Sequence, residues 1–303
     1  MKNDSPIVVG GGGGSGTRVV AEILSGLGVD TGFDLNGAHD DLTWTMLLKR
    51  AWWKTGATNA QIHHAMSVYD RARAGDGSHR HADRRYAARA AVQRVFHGTN
   101  KNPLARAMWG ARRVQRFAAR RPRPEAALWG WKEPSTHVFL PELCEHYPGM
   151  RYIHMIRHGL DMALSSNQIQ ARRWSREYGL DTPRGPVSPR RSLAYWVRSN
   201  SRAIATGTER LGGRFLLLRF EDLCDEPAAQ IERLASFVGV TPSDETSERL
   251  SALPRSPASR GRFIGHPLDD FDPEDLRAVA ELGYAAAAPV PIQAAPEPRR
   301  TTA

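Results

Sequence analysis

Four groups of residues have the types and spacing to do chemistry. Residues 10–14 are all glycine and pass directly into Ser15, Gly16, Thr17 and Arg18. The N–H groups of such a run can turn inward, and a helix opening behind it adds unpaired N–H groups and the positive end of its dipole. Together they form an anion site sized for phosphate. A second group, Asp34, His39, Asp40 and Asp41, crowds one polar loop and offers side chains able to take a proton. Lys132 and Arg157 form the third, each standing at the end of an apolar run. The fourth is a late basic loop, Ser259-Arg260-Gly261-Arg262.

The elements that must position these groups alternate between strand and helix. Ile7-Val8-Val9 is a short apolar strand, and residues 17–27 form a helix closed by Gly26-Leu27-Gly28. Residues 29–33 make a poor strand, because Asp30, Thr31 and Gly32 disfavour one. Asp40 or Asp41 also fits as the N-cap of a helix beginning at Leu42. From 42 to 121 the spacing is helical, with segments at 42–53, 60–74, 84–96 and 103–120. The last carries Arg106, Arg112, Arg113, Arg116 and Arg120, either a solvated face or one that steers an anionic acceptor. Arg121-Pro122-Arg123-Pro124 ends this helical insertion.

Strands resume at 128–132 and 151–156. Between them lies a loop at 133–137 and a helix to Glu145. Helices follow from Gly159 and over 192–211, around a Pro- and Gly-rich loop at 179–189. Residues 215–220 are apolar almost throughout, as a buried parallel strand should be. Helices at 227–238 and 273–282 flank an irregular stretch at 250–265. The expected fold is α/β: a three-layer parallel sheet with flanking helices, P-loop-like, with a helical insertion over about 42–124. Residues 1–284 are expected to form one domain and 285–303 a disordered tail. Parallel crossovers place ligand groups at the carboxyl ends of strands, where the glycine run, Lys132 and Arg157 all fall.

The 303-residue chain carries a formal charge of +10, with Lys only at 2, 49, 54, 101 and 132 and Arg supplying the rest. This balance favours anionic ligands but makes no case for nucleic acid. Cys144 and Cys224 lack metal-ligand spacing and are expected as buried thiols in a reducing compartment. His63, His64, His79 and His81 form no convincing metal set, and no metal is expected. No apolar run approaches the ~18 residues of a membrane span. A strand begins by residue 7, so a cytoplasmic location without a signal peptide is expected.

Three ligand classes compete for the glycine loop. Gly11, Gly16 and Thr17 match part of a nucleotidase loop, yet Thr17 stands where the phosphate-reaching lysine belongs. Gly11, Gly13 and Gly16 fit G-x-G-x-x-G, with Asp34 as a ribose acid, which would make the chain a dinucleotide-binding oxidoreductase. The third class uses more of the chain. Gly14-Ser15-Gly16-Thr17-Arg18 after a strand resembles the 5′-phosphosulfate loop of the sulfotransferase family. Arg157, with Ser165 eight residues on in the next helix, resembles that family's 3′-phosphate motif. Trp131-Lys132-Glu133-Pro134 is similar to the Lys-acid-Pro segment of the tyrosylprotein branch. Leu217 to Leu223 resembles the strand and E-D-L signature, and Arg260, Gly261 and Arg262 the late basic loop. Leu282-Gly283-Tyr284 resembles the usual ending.

The resemblance implies transfer of a sulfuryl group from 3′-phosphoadenosine 5′-phosphosulfate, a co-substrate, to a hydroxyl or amine of a small-molecule, glycan or lipid acceptor. Gly13, Gly14, Ser15, Gly16, Thr17, Arg18, Arg157, Ser165, Arg260, Gly261 and Arg262 would bind it. The base would come from Asp34, His39, Asp40 and Asp41, with Asp40 preferred. The family usually has a cation where this chain has Gly14, so Lys132 and Arg18 are expected to supply that charge. A non-catalytic nucleotide- or glycan-binding protein is the alternative from outside the enzymes. The acceptor and the oligomeric state stay open.

Overall fold

The computed structural model describes residues 5–74, 81–97, 102–119, 128–182 and 185–284. The end of the fourth insertion helix at Arg120, the proline stop at 121–124, His79 and the tail at 285–303 lie outside the described residues. Four parallel strands make one sheet: β1 (Ile7–Gly11), β2 (Gly130–Lys132), β3 (Arg151–Ile156) and β4 (Phe215–Arg219), ordered β2-β1-β3-β4. Val9 pairs with both Lys132 and Ile153, so β1, β2 and β3 end nearly level.

Fourteen α-helices are found among the described residues. They begin with α1 (Thr17–Gly26), α2 (Leu42–Leu47), α3 (Ala51–Lys54), α4 (Asn59–Ala74), α5 (His81–His97) and α6 (Pro103–Ala118). After β2 come α7 (Leu140–His146), α8 (Gly159–Ala163), α9 (Ile169–Trp174) and α10 (Pro189–Leu211). The chain continues through α11 (Phe220–Asp225), α12 (Pro227–Val238), α13 (Asp244–Ser251) and α14 (Pro273–Glu281).

Strand side chains alternate between faces, and each face finds its own cover. Ile7, Val9, Ile153, Met155, Leu216 and Leu218 pack with residues of α1, α12 and α13. Val8, Trp131 and Tyr152 face the opposite way, onto the insertion helices, α7 and α10. The result is the expected three-layer α/β architecture with a large helical region. Trp44 of α2 anchors the insertion, lying flat on Trp131 with ring centroids 4.5 Å apart. Tyr69 of α4 meets the same Trp44 edge-on at 5.2 Å. Fully buried aromatics of this size dominate core energetics, and such ring pairs add about 0.5–1.5 kcal/mol beyond burial.

Several expectations change in detail. Residues 42–53 divide into α2 and α3, because Arg50 leaves helical geometry while its guanidinium bonds Leu47, Gln93 and Tyr86. Residues 29–33 form no strand; Asp30 makes a single parallel bridge to Trp129. The strand at 215–220 alternates in burial; β4 is one of the sheet's two outer strands and not a central one. Residues 133–139 hold a 3₁₀ turn before α7, and α13 covers residues with no expected element. Cys144 and Cys224 are free thiols, half-buried and not fully enclosed. No helix among the described residues is long and apolar enough to cross a membrane.

The glycine loop has a packing reason as well as a ligand reason. Gly16 caps α1 with φ +98°, and a Cβ there would meet the Phe220 ring at 2.3 Å. Gly12 has ordinary backbone and 3.6 Å of room. Gly16→Ala is therefore expected to lose about 2–4 kcal/mol in urea unfolding, and Gly12→Ala less than about 1 kcal/mol. Equal losses in the two variants would contradict this packing.

Candidate active site

The glycine loop leaves β1 and turns back on itself, with the Ser15 hydroxyl donating to the Gly12 carbonyl at 2.7 Å. Gly16 offers no side-chain cap to α1, and the first turn of that helix holds no acid. Its leading N–H groups and dipole are thus left to an external anion. Beside it opens a crevice of about 630 Å³ lined by Gly13, Gly14, Gly16, Thr17, Arg18, Asp40, Lys49 and Lys132, among others. It sits at the strands' carboxyl ends. β1 lies between β2 and β3, so the chain leaves the sheet in opposite directions there, the usual place for a ligand.

Lys132 is buried, yet its Nζ reaches the Ala38 carbonyl at 2.8 Å and Asp40 Oδ1 at 2.6 Å. The acidic loop is brought to it by backbone pairing. The Asp41 N–H donates to the Lys132 carbonyl at 2.9 Å, which sets Asp40 next to the lysine side chain. Asn36 then fixes Asp40 from the other side, Nδ2 to Oδ2 at 3.0 Å.

The remaining acidic-loop candidates point elsewhere. Asp41 is fully enclosed: it caps α2 by accepting from the Trp44 N–H at 2.9 Å and from the Tyr69 hydroxyl at 3.0 Å. Asp34 is buried between Arg113 and Arg116 of α6, at 3.0 and 2.8 Å. It braces the insertion and is not open to a ribose, and those two arginines brace Asp34 and do not form a free face. His39 adopts φ +60° and lies 3.5 Å from Glu22. Arg18 points into solvent, 65% exposed, with Glu22 3.7 Å away.

Of the expected 3′-phosphate residues, Arg157, Gly261 and Arg262 are drawn together beside Gly14. Arg157 donates to the Gly14 carbonyl at 3.4 Å and to the Ser259 hydroxyl at 3.0 Å. Asp161 draws in the same loop by accepting from the Gly261 N–H at 2.8 Å. Arg262 reaches the Ser259 carbonyl at 3.2 Å. Ser165 lies just past the end of α8, not within the helix, and accepts from the Asn167 N–H at 3.2 Å. Arg260 is turned away, forked onto Asp225 with one contact at 2.6 Å.

Three residues of the site carry no motif. Lys49 enters the crevice from the end of α2 and is paired with the buried Glu133. Gln170 of α9 ties Gly11 to Ser135, at 3.4 and 3.2 Å. Arg255 closes the outer rim. Lysine scarcity was a usable signal for the first. Lys49, Lys54 and Lys132 each sit against a carboxylate, Glu133, Glu142 and Asp40 respectively.

Gly14 explains the absent loop cation. Its φ of +97° is one that side chains with a Cβ rarely adopt. A lysine or arginine there would strain the loop; the cations that line this crevice are Lys132 of β2, Lys49 after α2, Arg18 and Arg255.

A model of the sulfotransferase family matches residues 6–244, and the chain belongs to that family. Its class is therefore a transferase of sulfuryl groups. Among solved structures it is similar to sulfotransferase STF9 from Mycobacterium avium, at 15% identity over 91% of this chain and 75% of that one, TM-score 0.45. It is also similar to the sulfotransferase domain of the Synechococcus PCC 7002 olefin synthase, at 18% identity over 94% and 96% of the chains, TM-score 0.47. The sulfotransferase domain from the curacin biosynthetic pathway matches at 16% identity over 94% and 99%, TM-score 0.49. No curated protein matches the chain.

Asp41 gives the site a pH signature in stability. Burial raises its carboxyl from an ordinary 3.8 to about 7, against the lowering effect of the Trp44 and Tyr69 hydrogen bonds. Below about pH 4 folded and unfolded chains both hold the proton, and Asp41 costs nothing. As pH climbs from about 4 to about 7 the unfolded chain loses its proton first, so stability falls; above about 7 the loss is complete. Asn resembles the protonated acid in shape and keeps the cap. Asp41→Asn is thus expected to gain on the wild type by on the order of 2–4 kcal/mol between pH 5 and 8 in urea unfolding. A difference that stays flat over that range would show that Asp41 is ionised throughout.

Proposed function

We propose that the crevice binds 3′-phosphoadenosine 5′-phosphosulfate and that the protein moves its sulfuryl group to a hydroxyl or amine of a small-molecule or glycan acceptor. One observation carries the reading: the uncapped α1 N-terminus and the Lys132–Asp40 pair face one crevice at the strands' carboxyl ends. The residues suit the donor. Loop and helix N–H groups fit its 5′ phosphosulfate end, and Thr17 adds a hydroxyl. Arg157, the 259–262 loop and Ser165 would receive the 3′ phosphate, with Arg260 joining only by leaving Asp225.

In the transfer, the sulfur–oxygen bond to the donor's phosphate breaks and that oxygen keeps the electron pair. A new sulfur–oxygen or sulfur–nitrogen bond forms to the acceptor, whose proton passes to a base. Asp40 is the proposed base, since it alone of the acidic-loop candidates lines the crevice. Lys132, with Lys49 nearby, would stabilise charge on the transferred group and leaving phosphate, in a partly dry site where such charges count for more. Arg18, exposed at the rim, would guide the donor and not contact the bridging oxygen. Positioning does most of the remaining work.

Adenosine 3′,5′-bisphosphate is expected to raise the melting temperature, with NAD and ATP doing so less. Stabilisation by NAD alone would overturn the donor assignment. Lys132→Ala should lower kcat by about 100-fold or more with labelled donor, as loss of a transition-state charge contact does. Turnover near wild type would remove Lys132 from that role.

A further inference from the structure

We propose that the acceptor is an acid: a hydroxyl- or amine-bearing small molecule that also carries a carboxylate or similar anionic group, held in a second cleft beside the donor crevice. This rests on the transfer reading above and names its substrate class. The cleft, about 900 Å³, is walled by α3, the last turn of α5, and α9 with the turn that follows it. Lys49 and Ile169 line both hollows, so the two meet there. A molecule in the cleft presents one end to Lys49 and the crevice, and leaves its other end among the arginines.

The cleft's charge is one-sided. Arg50, Arg94, Arg172, Arg173 and Arg176 line it against one carboxylate, Glu177, while Lys49 at the junction is paired with Glu133. Several cations of this chain face acids, as Lys54 faces Glu142, Arg71 faces Asp83, and Arg113 and Arg116 face Asp34, and at the junction Lys49 faces Glu133. The arginines deeper in the cleft differ. Arg50 bonds the Leu47 carbonyl, Gln93 and Tyr86, and Arg94 bonds the carbonyls of Thr45 and Lys49, all neutral partners. Arg172 and Arg176 are exposed and make no ion pair or side-chain hydrogen bond among the described residues. Burial, with Arg173 and Arg50 close by, pulls the Arg94 guanidinium down to about 10 against the opposing effect of Glu133.

The same cleft offers an apolar wall for the body of such a molecule. Trp52 is 38% exposed and Ile169 is 54% exposed. Trp52 lies flat on His97, with ring centroids 4.4 Å apart, which holds the indole in place as a shelf. An apolar shelf beside guanidinium groups suits a hydrocarbon or aromatic acid better than a neutral sugar. A solvated arginine patch would instead show no preference among acceptors.

A matched pair of acceptors tests this: para-cresol against para-hydroxyphenylacetate, with labelled donor. The acid is expected to show a KM about tenfold or more below that of the neutral phenol. Added salt should narrow the gap. Arg172→Ala with Arg176→Ala should raise the acid's KM by a similar factor and move the phenol's less, while the Lys pair of substitutions restores most of it. Equal KM values in the wild type, or parallel losses on both acceptors, would overturn the acid site. Calorimetry of both compounds on the protein saturated with adenosine 3′,5′-bisphosphate separates the two readings. Arginine-dependent binding of the acid without transfer keeps the acid site and removes the transfer reading. Transfer without preference for the acid does the reverse.

Discussion

The site depends on one buried carboxylate. Asp41 caps α2, accepts from Tyr69 of α4, and through its N–H extends pairing from the end of β2. It therefore joins the sheet edge, the insertion and the acidic loop at a single point. Burial of an acid without a cation is costly, roughly 4 kcal/mol for the rise from 3.8 to about 7. That figure already includes the favourable cap to Trp44 and the Tyr69 hydrogen bond. The cost is borne where the chain sets Asp40 against Lys132, and shifting Asp41 would move Asp40 relative to that lysine.

The crevice handles charge by pairing. Lys132 with Asp40 and Lys49 with Glu133 are close pairs at the same wall. Pairs of this kind stabilise a fold little, because desolvation offsets attraction. They do hold charges in fixed positions before a ligand arrives, and a preorganised charge needs no reorganisation during transfer. Gly14 belongs to the same design. Its left-handed backbone disfavours a side chain at that place, while Lys132 and Lys49 line the crevice from other elements.

The insertion adds the second half of the site. Stacking of Trp44 on Trp131 seats α2 on the sheet, and α2 carries Lys49 to the junction of crevice and cleft. Beyond that junction the walls come from α3, α5 and α9, helices far apart in the chain. The crevice thus belongs to the sheet and its loops, whereas the cleft belongs to helices.

Much of the donor half was legible in the order of residues. The glycine run between an apolar strand and a helix, with Lys132 and Arg157 closing apolar strands, specifies a parallel sheet with an anion site at one rim. Those signals are local: glycine tolerance, side-chain alternation and strand ends depend on near neighbours. The sequence determined that Asp34, His39, Asp40 and Asp41 share a loop. Only tertiary structure decided which one faces the crevice, since the Asp41–Lys132 backbone pairing joins residues 91 positions apart. The same holds for Lys49, Gln170 and the arginine cleft. Their partners lie on elements distant in the chain, and no spacing along the chain encodes a contact made by packing.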